Sequence, residues 1–178
     1  MMKASLLTIV FWCLLYSPIC QASKVERLAL LVWHDQGWIG RTPDQRLRYA
    51  QRDANLLAGV LRKKGHFTTQ ILGRPTPKQL IAAFKRIQKR AKQPGKKIHF
   101  LFYYSGHADE RYLRLGPSSQ PLKKRFALKS LAKYLKGLKA SVKIGIIDAC
   151  NSGALIDILH ARTKGRGRGY APFFKVPR

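Results

Sequence analysis

The sequence predicts an α/β domain built around a mostly parallel sheet, and three observations lead to this prediction. Short β-rich runs alternate with helical stretches, as in chains of βαβ units. Two of these runs are almost continuously apolar, which is typical of strands covered on both faces. The chain has 178 residues, enough for one domain with a sizeable core but not comfortably for two.

The first part of the domain contains two predicted strands separated by a helix. Arg27–Trp33 is the first strand, and a helix is expected to begin at Thr42–Gln45, where a cap residue precedes a proline and then a glutamine. The apolar residues that follow recur at intervals of three and four, as on one helical face. Gly65 suits the end of this helix, and His66–Leu72 is the second strand.

A second capping sequence, Thr76–Gln79, begins a helix whose outer face is almost wholly basic and which ends before Pro94-Gly95. Lys97–Tyr104 and Lys143–Asp148 are the third and fourth predicted strands, the two that are nearly continuous in apolar residues. The chain therefore supplies four strands that a parallel sheet can use.

Smaller elements lie between and after these two strands. A short hairpin is expected around Tyr112–Leu115, and a helix follows it with leucines on one side, at Leu128, Leu131, Leu135 and Leu138. The Gly/Arg-rich stretch Arg162–Gly169 is predicted to be a flexible loop.

The first 22 residues have the organisation of a signal peptide. Lys3 precedes an apolar run, Leu6–Tyr16, that is shorter than the about 20 residues of a membrane helix. We therefore expect cleavage after Ala22 and export to the periplasm or the extracellular space. Lipidation at Cys20 is a second interpretation, disfavoured because bulky residues stand before it where small ones are expected.

Cleavage would leave a single thiol in the mature chain. Cys13 and Cys20 depart with the signal, so Cys150 has no partner for an intramolecular disulfide. An unpaired cysteine in an exported protein is either a buried, inert side chain or a reactive one.

The charge of the chain is strongly positive. Lys and Arg total 35 against 8 Asp and Glu, which gives a formal net charge of +27. Such a surface attracts nucleic acids, acidic lipids and acidic glycans. The basic residues are spread along the whole chain, which favours a solvated basic surface with nonspecific polyanion binding over a dedicated site.

Two polar clusters come directly after the third and fourth strands. Tyr104–Ala108 (YSGHA) follows one, and Asp148–Gly153 (DACNSG) ends the other. Ligands of open α/β sheets bind at the carboxyl ends of the strands. If these strands are neighbours, His107 and Cys150 face each other at that edge.

A cysteine beside a histidine is a pair that can perform nucleophilic catalysis. A free thiol, with a pKa near 8.5, is a weak nucleophile at neutral pH until an imidazole takes its proton or stabilises the thiolate. Gly106 and Gly153 allow tight turns that present backbone N–H groups to an oxyanion. Taken singly, each residue is more often structural, and the scattered histidines have no metal-ligand spacing.

The two clusters carry a resemblance to a known family. FLFYYSGHA, from Phe100 to Ala108, resembles the histidine motif of the caspase and metacaspase superfamily, and IIDACNSG, from Ile146 to Gly153, resembles its cysteine motif. RYAQRDA, from Arg48 to Ala54, is similar to the family's first helix. The resemblance spans Leu28–Gly169 and is nearer to the metacaspase branch.

The resemblance implies a fold and a reaction. The fold is a caspase-like three-layer sandwich with a mostly parallel sheet, formed by a catalytic domain at residues 23–169 with a tail at 170–178. In the reaction of a cysteine endopeptidase, Cys150 attacks the scissile carbonyl and His107 handles the proton of the leaving amine. Backbone amides around Gly106 and Ala108 hold the oxyanion, and no cofactor is needed.

The resemblance also implies a specificity. Asp53, Ser105 and Asp148 match metacaspase pocket positions, so cleavage of protein or peptide substrates after Arg or Lys is expected. Many metacaspases need calcium, held by several acidic residues. No acidic residue lies between Glu110 and Asp148, so we predict neither a calcium site nor another metal site.

Two departures leave alternatives open. Asn151 replaces the histidine frequent in metacaspases after the cysteine, and the chain ends at Arg178, where relatives continue with further strands. The enzyme is therefore expected to be minimal or completed by self-association. The alternatives are a weakly active or inactive basic module that binds polyanions, and a truncated remnant without a stable fold.

Overall fold

The computed structural model describes residues 25–36, 46–116, 125–150 and 152–160. Six strands and four helices lie in these ranges. In chain order they are β1 (Val25–His34), α1 (Ala50–Lys63), β2 (Thr68–Gly73), α2 (Pro77–Ala91), β3 (Lys97–Gly106), β4 (Tyr112–Arg114), β5 (Arg125–Ala127), α3 (Leu128–Gly137), β6 (Val142–Asp148) and α4 (Gly153–His160).

Four of the strands form the predicted parallel sheet. Their order is β2-β1-β3-β6, so β1 and β3 are central among the described strands. Each neighbouring pair is parallel, with Leu30 opposite Phe102 and Phe102 opposite Gly145. Consecutive parallel strands need a crossover, and the helices between them supply it. The predicted α/β class is confirmed.

Helices cover both faces of this sheet and give it three layers. Alternate residues of β1 and β3 belong to two separate apolar clusters, as expected when successive side chains point to opposite faces. On one face Ala54 and Ala58 of α1, both fully buried, pack with Leu31 and Leu101. The small alanine side chains allow α1 to lie close to the strands.

The other face carries α2 and α3 and the larger apolar cluster. Phe84 of α2 is buried there, with its ring centroid 5.5 Å from that of Phe102 and 5.2 Å from that of Tyr134 on α3. One phenylalanine thus joins the central strand to both helices. Aromatic pairs at these separations stabilise a core beyond the area they bury.

The beginning of α2 matches the prediction from its capping sequence. Thr76 Oγ1 accepts a hydrogen bond from the Gln79 amide at 3.3 Å, and the Thr76 amide donates to Gln79 Oε1 at 2.8 Å. This reciprocal pair satisfies two N–H groups at the helix end.

The predicted start of the first helix is wrong. The helix begins at Ala50, and residues 46–49 are not helical, although Thr42–Gln45 itself lies outside the described residues. The reason is a tertiary contact: the Leu47 amide donates to the Asp35 carbonyl at 2.8 Å, which ties this segment to the end of β1. The chain can turn into a helix only after that attachment.

The predicted hairpin region around Tyr112–Leu115 contains β4, which pairs antiparallel with β5. The signal segment at 1–22, the loop Arg162–Gly169 and the tail at 170–178 lie outside the described residues. No helix in the described part of the chain is long and apolar enough to cross a membrane.

Candidate active site

The register between β3 and β6 brings the two polar clusters to one edge of the sheet. Ser105 lies opposite Asp148. His107 and Cys150 each lie two residues further along their own chain segments, so they leave the sheet at the same level. Adjacent strands are about 4.8 Å apart. The predicted pair therefore lies at neighbouring strand ends.

The His107 side of this edge is built into the sheet. Gly106, the last residue of β3, is buried opposite His34 of β1. A Cβ atom at Gly106 would lie 2.6 Å from Tyr104 Oη and 2.9 Å from the His34 carbonyl oxygen. Any side chain would overlap these atoms, which explains why position 106 is a glycine.

Ala108, the other predicted oxyanion residue, forms an isolated antiparallel bridge with Leu113. The hydrogen bonds of that pairing come from its neighbours: the Asp109 amide donates to the Tyr112 carbonyl, and the Arg114 amide donates to the His107 carbonyl. The pairing does not use the Ala108 amide. This geometry is compatible with an amide that serves an oxyanion.

The Cys150 side is open. The strand that leads to it, β6, is an edge strand of the described sheet, and Asp148 and Cys150 are both exposed. An exposed thiol does not fit the interpretation of Cys150 as an inert core residue. Asn151, the first departure from the family motif, lies outside the described residues. A Cβ atom at Gly153, where α4 begins, would meet nothing within 4 Å.

The predicted pocket residues gather on the α1 face of the sheet. Ser105 is buried, and its Oγ donates to Asp148 Oδ2 at 3.3 Å. Asp53 lies half-buried in the first turn of α1. The three residues therefore belong to one face and one edge.

Tyr103 joins this group, although its place in an apolar run marks it only as a core residue. Burial raises the pKa of its hydroxyl; a hydrogen bond with Ser105 lowers it, and the charges of Asp148 and Asp53 raise it further. The hydroxyl thus stays protonated. The available signal was the period of two along β3, which places Tyr103 on the same face as Ser105.

A second residue that the sequence analysis missed is His34. It is 3 % exposed, and its Nε2 lies 2.7 Å from the Gly116 carbonyl oxygen. Burial lowers the pKa of His34, so the ring is neutral at neutral pH; His107 and Arg74 lower it further, against the opposing effects of the Gly116 bond and Asp35. A carbonyl oxygen only accepts, which places the proton on Nε2.

The metal-binding side chains of the described residues do not form a metal site. Among the described residues, no three His, Cys, Asp or Glu side chains are arranged to hold a metal ion. The side chain of Asp157, in α4, is outside the described part of the chain.

Comparison with known families agrees with this architecture. The family model for the caspase domain, of peptidase family C14, matches residues 26–168, which include both clusters and all of the described sheet except Val25. A comparison with curated proteins gives no significant match. The chain therefore belongs to the caspase family of cysteine peptidases.

Proposed function

We propose that the protein is a cysteine endopeptidase in which His107 and Cys150 form the catalytic dyad and that it cleaves after Arg or Lys. One observation carries the proposal: the β3–β6 register, in which both residues follow the Ser105–Asp148 pair by the same two positions. An imidazole at this place can take the thiol proton and later give it to the leaving amine.

The proposed reaction needs an activated thiolate and a site for the oxyanion. Cys150 is exposed, so a peptide carbonyl can reach its sulfur. Attack forms a C–S bond while the carbonyl electrons move to oxygen, where backbone amides near Gly106 and Ala108 stabilise the charge. Collapse releases the amine with a proton from His107, and water then hydrolyses the thioester.

The specificity proposal rests on charge. Asp148 and Asp53 are two of only eight acidic residues in a chain of net charge +27, and both lie by Ser105 and Tyr103 on the α1 face. A carboxylate that accepts hydrogen bonds from hydroxyl groups can hold an ammonium or guanidinium group. A substrate aspartate would instead meet like charges there.

Labelling of the mature protein tests the reaction. A peptide acyloxymethyl ketone that ends in arginine should alkylate the wild-type chain at Cys150 and leave Cys150→Ala unlabelled, as read by intact mass. His107→Ala should slow labelling strongly. A folded wild-type protein that is neither labelled nor able to cut arginyl substrates would contradict the enzyme proposal.

A charge-neutralising variant tests the specificity separately. Asp148→Asn should lower kcat/KM for arginyl substrates about tenfold or more, because a charge-assisted contact is lost. Glu110→Gln removes the same charge from an exposed position outside the pocket and is the matched control. Equal losses in the two variants would assign the effect to overall charge rather than to the pocket.

Export is part of the same proposal. The apolar run after Lys3 and the small residue at Ala22 support removal of the first 22 residues. Mass spectrometry of protein secreted by the native host or a bacterial host should find Ser23 at the N-terminus. A chain that keeps Met1 in the cytoplasm would exclude this part of the proposal.

A second candidate function, polyanion binding, is supported by the outer surface of α2 and α3. Neither helix contains an acidic residue, and the Phe84–Tyr134 contact places them side by side. Their exposed cationic side chains include Lys78, Lys85, Arg86, Lys89, Lys129 and Lys133. Adjacent helices with cationic and no acidic side chains can contact successive phosphates.

Salt-dependent binding to duplex DNA tests this second candidate. The double variant Lys85→Gln/Lys89→Gln should reduce the salt slope by about two. The double variant Lys63→Gln/Lys64→Gln, at the end of α1, should reduce the slope less. Equal slopes in both would show a diffuse attraction without a preferred face. Binding that survives Cys150→Ala would separate this property from catalysis.

Self-association is supported by the exposed edge strand β6. Val142 and Ile146 of β6 are 40 % and 38 % exposed, and no described strand pairs with the outer side of β6. Pairing of this edge with a second copy would cover both side chains. Light scattering should then give a dimer mass that Ile146→Lys reduces to that of a monomer.

A further inference from the structure

The backbone of His107 is held by two donors. Its carbonyl oxygen lies 2.7 Å from Tyr104 Oη and 2.9 Å from the Arg114 amide nitrogen. The same Tyr104 hydroxyl lies 2.8 Å from the Arg114 carbonyl oxygen, so its single proton is shared between two acceptors. One phenol therefore connects the His107 and Arg114 carbonyls within the loop that begins at His107.

The position of that phenol is set by the core and not by the loop. Tyr104 is fully buried within the apolar cluster on the α2 and α3 face. Burial raises the pKa of the hydroxyl far above its usual range, so it remains a donor at all ordinary pH values. A rigid donor of this kind fixes what it binds.

His34 attaches the same loop at a later point. Its Nε2–H donates to the carbonyl of Gly116, two residues after Arg114, at 2.7 Å. Gly116 has a φ of 76°, in the region that favours glycine, so the chain turns sharply where this bond forms. Residues 107–116 are thus connected to the sheet through Tyr104 and through His34.

We propose that Tyr104 is a positioning residue for His107: its hydroxyl holds the His107 backbone where the imidazole serves Cys150, and His34 holds the far end of the same loop. This inference rests on the proposed dyad. The Tyr104 hydroxyl contacts backbone carbonyls, so it acts through His107.

The pH dependence of Cys150 alkylation by iodoacetamide tests the proposal without a substrate. Wild-type protein should react faster than a free cysteine peptide measured alongside at neutral and mildly acidic pH, because in the proposed dyad His107 takes the thiol proton. Tyr104→Phe should move the profile towards that of the free thiol and slow the reaction at its acidic end about fivefold, the effect of one lost hydrogen bond. A merely structural role would not shift this profile in a variant that remains folded.

Kinetics and hydrogen exchange give two further readouts. With an arginyl substrate, Tyr104→Phe should lower kcat about fivefold and leave KM unchanged. The Arg114 amide should exchange faster. Tyr134→Phe removes the same hydroxyl from a half-buried ring on the same face and should match wild type in all three measurements.

The second attachment is tested by a rescue. His34→Ala should lower kcat, and His34→Gln, whose amide nitrogen can donate to the Gly116 carbonyl, should restore most of it. If both variants equal wild type, the His34 part is overturned.

The possible failures are distinguishable. A wild-type alkylation profile identical to that of free cysteine would overturn the dyad and the positioning role with it. A wild-type profile at low pH that a folded Tyr104→Phe variant shares, with unchanged kcat, would overturn the positioning role alone and leave the dyad intact.

Discussion

The two halves of the proposed dyad stand in contrasting surroundings. His107 follows the central strand β3, and hydrogen bonds from the buried side chains of Tyr104 and His34 hold the loop that begins there. Cys150 follows β6 at the border of the described sheet and is exposed. The proposed base is thus fixed by buried packing, while the proposed nucleophile stays accessible. A peptidase needs both properties, because the substrate must reach the sulfur and the proton acceptor must keep a fixed position.

The largest expected difference between the two sides concerns core packing. Phe102→Ala, on β3, should lower the free energy of unfolding by about 3–5 kcal/mol, because it removes a fully buried ring that contacts Phe84. Ile146→Ala, on β6, where the side chain is 38 % exposed, should cost about 1 kcal/mol. Urea unfolding measures both. Equal costs would show that β6 is as deeply packed in solution as β3.

A smaller difference is expected at the two glycines beside the dyad. Gly106→Ala should destabilise by about 1–3 kcal/mol, since the new methyl group overlaps Tyr104 Oη and the His34 carbonyl. Gly153→Ala, in open space at the start of α4, should stabilise by about 0.5 kcal/mol through the unfolded chain. Thermal melts of the two variants check the sign. Destabilisation by Gly153→Ala would mean that the cysteine side is more crowded than the structure indicates.

The smallest effect concerns pH and belongs to the histidine side. Burial lowers the pKa of His34 in the folded protein, so the unfolded chain binds the proton more readily. The contribution of His34 to the free energy of unfolding should therefore be complete above pH 6.5. It should fall as the pH drops below that value and level off below the pKa of the folded state. The groups that act on this ring are Asp35, Arg74 and His107.

His34→Gln keeps a donor to Gly116 and cannot titrate, so it should flatten this part of the profile. Urea unfolding across the acidic range compares it with wild type. An unchanged slope would assign the pH dependence to another group.

The sequence predicts the fold well because two of the sheet strands, β3 and β6, are nearly continuous apolar runs. His107 and Cys150 each come after such a run, so the sequence also predicts that both lie at neighbouring strand ends. The start of α1 was missed, since a sequence of good capping residues does not reveal that the Leu47 amide is already bonded to Asp35. Local preference was overridden there by a tertiary contact.

The supporting residues were missed for a related reason. Tyr103 and Tyr104 lie within an apolar run and have the pattern of core residues, which both indeed are. Their separate tasks depend on which face each hydroxyl reaches, and thus on the partners that packing places there. Tyr103 lies with Ser105 and Asp148, and Tyr104 with His107. The period of two along β3 separates the two faces, but it does not reveal the partners that packing places on each face.

The β3–β6 register also has a consequence for the quality of a protein preparation. A slip of one residue would turn Asp148 to the opposite face and move Cys150 out of level with His107. In the proposed enzyme, a mispaired molecule loses both the alignment of Cys150 with His107 and the carboxylate of Asp148 in the pocket. Heterogeneous pairing therefore lowers the number of working molecules without relaxing their selectivity. Titration with the arginyl ketone counts the chains whose strands are correctly aligned.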